Sequence, residues 1–229
     1  MVECTEIVFL VLRDGLNPEE KGSRAAEIVK KAGATLAEQK GFLRSYWGLR
    51  VEDPKSFVLT IDWTDVQEHK DFINSEAYKP FVALLAELFD FNIAPPFFYH
   101  VNFTSDSVPA REAPVTEFAT FGISASSSQA DKSKLEDNTL RLAQFVNAND
   151  KSKGSAIGWT IEEIEGPKGA TNPLQVLIGW DSVEDHMKAR ENPEFGPLIG
   201  PIRESILPPK DGVQGLAVFH SKLHGKDFL

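Results

Sequence analysis

Trp63-Thr-Asp-Val66-Gln-Glu-His69 and Trp180-Asp-Ser-Val183-Glu-Asp-His186 carry the same tryptophan, valine and histidine at the same spacing, 117 residues apart. Ser75-Glu-Ala-Tyr78-Lys-Pro80 and Asn192-Pro-Glu-Phe195-Gly-Pro197 continue the match at the same separation. The chain has only four tryptophans and five histidines in 229 residues, so a shared spacing of both is more than composition produces. Outward from this core, Thr5-Glu6 meets Thr116-Glu117 at a separation of 111, and Tyr99-His100 meets Phe219-His220 at 120. The separation grows where the second half has longer loops, at 166–173 and 207–215. That is the drift of a duplicated domain, whose loops lengthen while its elements stay.

Each copy reads β-α-β-β-α-β. In the first, 6–12 is an apolar, β-branched strand. Asn17-Pro18-Glu19-Glu20 reads as a helix start, with Asn as cap, Pro in the first turn and acids at the positive dipole end. A helix over 18–40 then puts Ile28, Val29, Ala32 and Leu36 on one stripe. A hairpin, 43–51 and 56–63, turns at Asp53-Pro54. A helix over 65–89 turns Phe72, Phe81, Leu84, Leu85 and Leu88 inward, and Pro95-Pro96 precede a strand over 97–103. The second copy gives a strand over 116–124, a helix carrying Leu135, Leu142 and Val146, and hairpin strands 156–165 and 174–180. A helix from 182 continues raggedly to 206 through Pro193, Pro197 and Pro201, and a strand over 215–223 ends the fold. The domains are 1–104 and 115–229, joined by a linker, 105–114, rich in Ser, Pro and charge.

This order predicts an α+β fold of two tandem ferredoxin-like repeats, each a four-stranded antiparallel sheet with both helices on one face. The other face carries apolar residues as well, and a bare apolar face of several hundred Å² does not stay in water. Two copies can close their open faces together as a barrel; a homodimer of whole chains is the alternative.

Composition excludes other classes. At 41% hydrophobic and 25% charged residues the chain is globular, not disordered or collagenous. No apolar run approaches the roughly 18 residues of a membrane helix, and no secretory signal pattern is visible at the N-terminus. The single cysteine, Cys4, points to a reduced compartment and a cytoplasmic protein. A net charge of −10 repels nucleic acid and anionic membrane, so neither is an expected partner; a small apolar or aromatic molecule is.

A strand ending in Trp, a helix with Val and His, then Ser-x-x-Tyr-x-Pro-Phe resembles the antibiotic-biosynthesis-monooxygenase type of dimeric α/β barrel. The resemblance covers both copies and is strongest at 57–82. It implies the barrel fold in a tandem-domain form. Members include cofactor-free oxygenases of phenols and anthrones, quinol oxygenases and haem-degrading enzymes. In the haem-degrading branch an iron-binding His lies a few residues beyond the Ser-x-x-aromatic stretch; here Phe81-Val82 and Leu198-Ile199 stand there, so haem is not expected.

His100 and His220 lie in the last strand of each copy. Period-two alternation puts His100 with Phe98 and Asn102, and His220 with Val218 and Lys222. On a barrel-lining face each is a candidate base in an apolar wall; on a helix-facing side each is a core histidine. Asp62, beside Trp63 and replaced by Gly179 in the second copy, is a further candidate base if buried. Tyr46, Trp47, Tyr99 and Trp159 are candidates for shaping an aromatic pocket. His69 and His186 read as helix-start histidines packed on Trp63 and Trp180. His220-Ser-Lys-Leu-His224 is the one short His pair, and on a strand its rings would be about 13 Å apart, too far for one ion. Neither a metal nor a cofactor is therefore expected.

The function expected is a cofactor-independent monooxygenase acting on a phenolic, quinol or polyketide-like aromatic metabolite in an apolar barrel pocket. The alternatives are a non-catalytic ligand-binding or stress-response barrel, and a non-oxidative cyclase or isomerase on the same scaffold. The prolines of the second copy's last helix predict that one pocket is functional and the other degenerate.

Overall fold

Strand β1 (Cys4–Val11) has two buried faces, Glu6, Val8 and Leu10 on one and Thr5 and Ile7 on the other. This is why period-two reading could not say which face meets the helices. The computed structural model describes residues 3–149, 151–166, 169–208 and 216–225. It divides into two units, Met1–His100 with His224–Leu229, and Val101–Leu223.

In the first repeat β1 is followed by α1 (Arg24–Ala37), β2 (Phe42–Leu49), β3 (Ser56–Trp63), α2 (Val66–Ile73), α3 (Tyr78–Leu85) and β4 (Phe97–Phe103). The sheet order is β2-β3-β1-β4. Glu6 is opposite Ile61 and Thr5 opposite Asp62 in the β1–β3 ladder. Buried Ile28, Val29, Ala32 and Leu36 seat α1 on the Val8, Leu10, Leu59 and Ile61 face, in one core with Trp63, Phe72 and Phe81.

In the second unit the order is α4 (Val108–Arg111), β5 (Val115–Phe121), α5 (Gln129–Asn147), β6 (Ser152–Thr160), β7 (Leu174–Trp180), α6 (Val183–Glu191), α7 (Phe195–Ser205) and β8 (Leu216–Ser221). The sheet runs β6-β7-β5-β8. Each repeat is thus an antiparallel βαββαβ unit, the fold read from the sequence. The expected loops 166–173 and 207–215, and the start of the last strand at 215, include positions outside the described residues. No helix among the described residues is long and apolar enough to cross a membrane.

Several boundaries differ from expectation. The first helix starts at Arg24, not at Pro18. The Asn17 side chain accepts from the Glu19 amide at 2.9 Å in a local turn, Gly22 adopts φ 77°, and Ser23 becomes the cap by accepting from Ala26 N at 3.1 Å. A left-handed residue cannot continue a right-handed helix, so the turn opened by Asn17 ends at Gly22. The helix expected over 65–89 is two helices, broken where the Asn74 and Ser75 side chains donate to the Lys70 and Phe72 carbonyls. The second repeat breaks at the same place, between Glu191 and Phe195. The contrast expected between a regular first copy and a ragged second one is therefore absent. The sixth strand ends at Thr160, short of the expected 165.

The expected linker 105–114 includes α4, which packs on β6 and β7. This packing accounts for Gly179. A Cβ there would meet Ala113 Cβ at 2.7 Å and Ala110 Cα at 2.9 Å. Gly179→Asp, which copies Asp62 of the first repeat, is expected to cost about 1–3 kcal/mol from overpacking alone. Urea unfolding checks this, and an unchanged midpoint would show that α4 yields freely.

Candidate active site

Trp63 ends β3, and two residues later Asp65 caps α2, its carboxylate accepting from Gln67 N at 2.8 Å. His69 lies one turn into that helix, so its ring folds back onto Trp63, stacked at 5.3 Å between centroids and 13° between planes. The indole N–H of Trp63 donates to Glu6 Oε2 at 3.0 Å. His69 Nδ1 stands 3.4 Å from the same oxygen and 2.8 Å from Nε2 of His100 on β4.

The second repeat builds the same set. Ser182 caps α6 by accepting from Asp185 N at 3.1 Å, and His186 stacks on Trp180 at 5.3 Å and 17°. Trp180 donates to Glu117 Oε2 at 2.9 Å. His186 Nδ1 is 3.5 Å from that oxygen and 2.8 Å from His220 Nε2. Glu117 and His220 are direct partners in the β5–β8 register. All eight residues are buried, none more than 5% exposed. Burial pushes the Glu117 carboxyl above its ordinary range, against the opposing pull of the Trp180 N–H and of His220 and Arg190. In each set two imidazole nitrogens and a carboxylate oxygen lie within 4.8 Å of one another, donor types that suit a divalent transition metal.

Each set borders a cavity between its sheet and its helices. In the first unit it measures about 190 Å³, with Glu6, His69, Phe72, Tyr78, Phe81 and Phe98 on its wall. In the second it measures about 240 Å³, with Glu117, Trp180, His186, Phe121, Phe195 and Arg203 on its wall. Phe98 lies edge-on to His69 at 5.5 Å. Val218 takes the equivalent place in the second repeat, and its smaller side chain leaves His186 more room. Both repeats therefore keep a cavity, and the prolines of α7 do not fill the second one.

The structure brings His100 and His220 together with Glu, His and Trp on the helix side of each sheet. Of the two placements left open for His100 and His220, the helix-facing one is found: each faces the helix that carries the first histidine. Asp62 does not join them. It is on the opposite face of β3, where it accepts from Thr5 Oγ1 at 2.7 Å and pairs with Arg44 Nε. Tyr46 and Tyr99 are on that opposite face too, Tyr46 facing Thr60 across the ladder and Tyr99 packed on Phe9. Trp47 is on the helix side but stacks on Phe57 at 5.3 Å, and its backbone pairs with His224. Trp159 donates to Glu136 at 2.9 Å. None of Tyr46, Trp47, Tyr99 and Trp159 lines either cavity. The residues missed were Glu6, Glu117, His69 and His186. Their signal was present: all four belong to the matched pairs of the repeat.

Residues 17–84 match the profile of the family described as Antibiotic biosynthesis monooxygenase. No curated protein matches the sequence. An anthrone oxidase-like protein of known structure is similar over 99% of this chain and 93% of its own, at 14% identity and a TM-score of 0.69. A protein assigned as a monooxygenase from Fusobacterium nucleatum is similar over 97% of this chain and 92% of its own, at 9% identity and a TM-score of 0.60. Another so assigned, from Lactobacillus acidophilus, covers 97% and 94% at 10% identity and a TM-score of 0.57. At such identities the likeness is one of fold.

Proposed function

We propose, for a chain whose first repeat carries an antibiotic biosynthesis monooxygenase domain, that it oxygenates a compact phenol, quinol or related aromatic metabolite in its helix-side cavities, chiefly that of the second repeat. The observation that carries this reading is the duplicated Trp–Glu–His–His set, held at matching distances, whose Glu and first His stand on the wall of an apolar cavity. Cavities of about 190 and 240 Å³ fall below the roughly 300 Å³ at which drug-sized ligand sites begin, so the ligand is compact. An apolar wall with a few convergent polar groups is what such a site requires.

A phenol conjugated to a CH₂ group suits this wall. The imidazole pair takes a proton from the substrate, and the flanking Glu stabilises the imidazolium that forms. The resulting carbanion passes one electron to O₂, and the radical pair combines to a hydroperoxide. Loss of water from it leaves a carbonyl. One oxygen atom enters the product and the other leaves as water, so the four electrons of the CH₂-to-carbonyl oxidation balance the reduction of O₂. Exclusion of bulk water by the phenylalanines protects the carbanion from simple reprotonation. A reduced, cytoplasmic setting accords with the single buried thiol of Cys4.

The test is oxygen consumption with a panel of anthrones, naphthols and hydroquinones, read together with ¹⁸O₂ incorporation. The expected result is one labelled oxygen in the product, with turnover abolished in Val218→Phe. That change copies Phe98 and puts a phenyl ring on the wall of the larger cavity. Turnover that survives it unchanged would place the chemistry elsewhere. Binding of the panel with no oxygen uptake would leave a ligand-binding protein and sink the oxygenase reading.

A further inference from the structure

We propose that each Glu–His–His set binds a divalent transition-metal ion, zinc or a first-row neighbour such as cobalt(II), giving two sites per chain. This site competes with the proton-accepting role given above to the same imidazoles, because a metal-bound ring nitrogen takes no proton, and it stands on its own geometry. Glu6 Oε2, His69 Nδ1 and His100 Nε2 would hold one ion, and Glu117 Oε2, His186 Nδ1 and His220 Nε2 the other.

The distances fit. Zinc takes imidazole nitrogen at ~2.0–2.1 Å and carboxylate oxygen at ~2.0–2.2 Å, so neighbouring ligand atoms stand ~2.9 Å apart at a right angle and ~3.4 Å apart at a tetrahedral angle. The nitrogen pairs are separated by 2.8 Å in both repeats, and the Nδ1–Oε2 pairs by 3.4 and 3.5 Å. A proton-only account explains these contacts less well. Nδ1 of His69 and of His186 makes two close approaches, one to a nitrogen and one to a carboxylate oxygen. A ring nitrogen has a single in-plane direction for its proton or its lone pair. In either tautomer one of the two approaches therefore contains no proton. A cation between the three atoms satisfies all of them at once.

The surroundings are those of a metal site. Trp63 and Trp180 donate to the ligating carboxylate oxygens, the kind of outer hydrogen bond that fixes a ligand's orientation. A buried carboxylate beside imidazoles favours a nearby cation, and a dication would add to the pull that Arg190 exerts on Glu117. Two imidazoles and one carboxylate select zinc, iron(II), cobalt or copper over magnesium and calcium. Glu and the first His of each set also line the cavity, so the remaining coordination position opens toward a water or a ligand there. Recurrence in both repeats makes a chance cluster a poor account.

The test uses the full chain, stripped with a chelator and dialysed. It is titrated with cobalt(II) followed by visible absorption, and with zinc followed by calorimetry. The expected result is two ions per chain and a cobalt spectrum of tetrahedral intensity. His69→Ala should remove one equivalent and His186→Ala the other. Trp63→Phe with Trp180→Phe should keep two equivalents but bind about 10–100-fold more weakly. X-ray absorption of the zinc-loaded wild type reads the ligands without any variant, and should show two imidazoles per ion. An absence of uptake, zinc bound without imidazole, or two equivalents retained in the His69→Ala, His186→Ala double variant would each overturn the proposal.

Discussion

His220→Ala is expected to lower turnover by about 10²–10⁴-fold, the range of general-base catalysis, because His220 positions His186, the imidazole that faces the cavity. The imidazole of His220 is 5% exposed and 2.8 Å from His186 Nδ1. Its loss breaks the pair and leaves His186 Nδ1 with the Glu117 carboxylate alone in the set. Ligand affinity should change far less, because His220 is not on the cavity wall. The effect therefore belongs in kcat and not in KM. His220→Gln separates chemistry from packing: it keeps a polar group at the end of a similar side chain but is no base, and it should be as slow as the alanine variant. Circular dichroism confirms that both variants fold. If the glutamine variant kept wild-type kcat, the proton would be handled by another group. His100→Ala tests the first repeat in the same way and is expected to matter less, since Phe98 crowds that cavity.

The second large effect is on stability. Trp180 is fully buried, stacks on His186, donates to Glu117 and belongs to the core beneath α5 and α7. Trp180→Ala is expected to cost about 3–5 kcal/mol from the cavity it leaves. A further ~1–3 kcal/mol follows because the Glu117 carboxylate loses a buried donor. At roughly 2–4 °C per kcal/mol for a chain of this size, the melting temperature of the second repeat should fall by on the order of 10 °C or more. Trp180→Phe isolates the hydrogen bond, since it keeps an aromatic ring in the core and loses only the donor. It should show the smaller share. A loss below about 1 kcal/mol for Trp180→Ala, measured by urea unfolding, would mean that the indole is not the keystone of this core.

These expectations rest on residues that the sequence offered in unequal measure. The repeat of Trp63 and His69 in Trp180 and His186 was legible because the spacing within one strand-to-helix turn is local. It implied the βαββαβ order, and with it a sheet with both helices on one face, though not which face. His100 and His220 were singled out as titratable groups on aromatic strands. Glu6 and Glu117 were seen only as part of the repeat, and His69 and His186 were read as packing on tryptophan, which they also do.

The helix boundaries show where local signals mislead. Asn17-Pro18 and Ser23 are both acceptable caps by residue type. The choice fell to Ser23 because Gly22 takes a left-handed conformation, which stops the turn that Asn17 opens before it can become a helix. The break at Asn74 is likewise made by side chains that bond back to the helix carbonyls before it.

The amino-acid sequence by itself determined the duplication, the element order and which residues share a strand face, because these follow from spacing along the chain. The tertiary structure alone decided which face meets the helices and which polar residues converge. Glu6, His69 and His100 are 63 and 31 residues apart in turn. They meet because β1 runs between β3 and β4 in the sheet, and because α2 turns His69 back over β3. Alternation fixes faces only relative to one another, and both faces here are apolar enough to be buried. Asp62 and Tyr46 therefore fell on one side and the Glu–His–His set on the other for a reason no local pattern carries: the helices pack on the face that holds Val8, Leu10, Leu59 and Ile61.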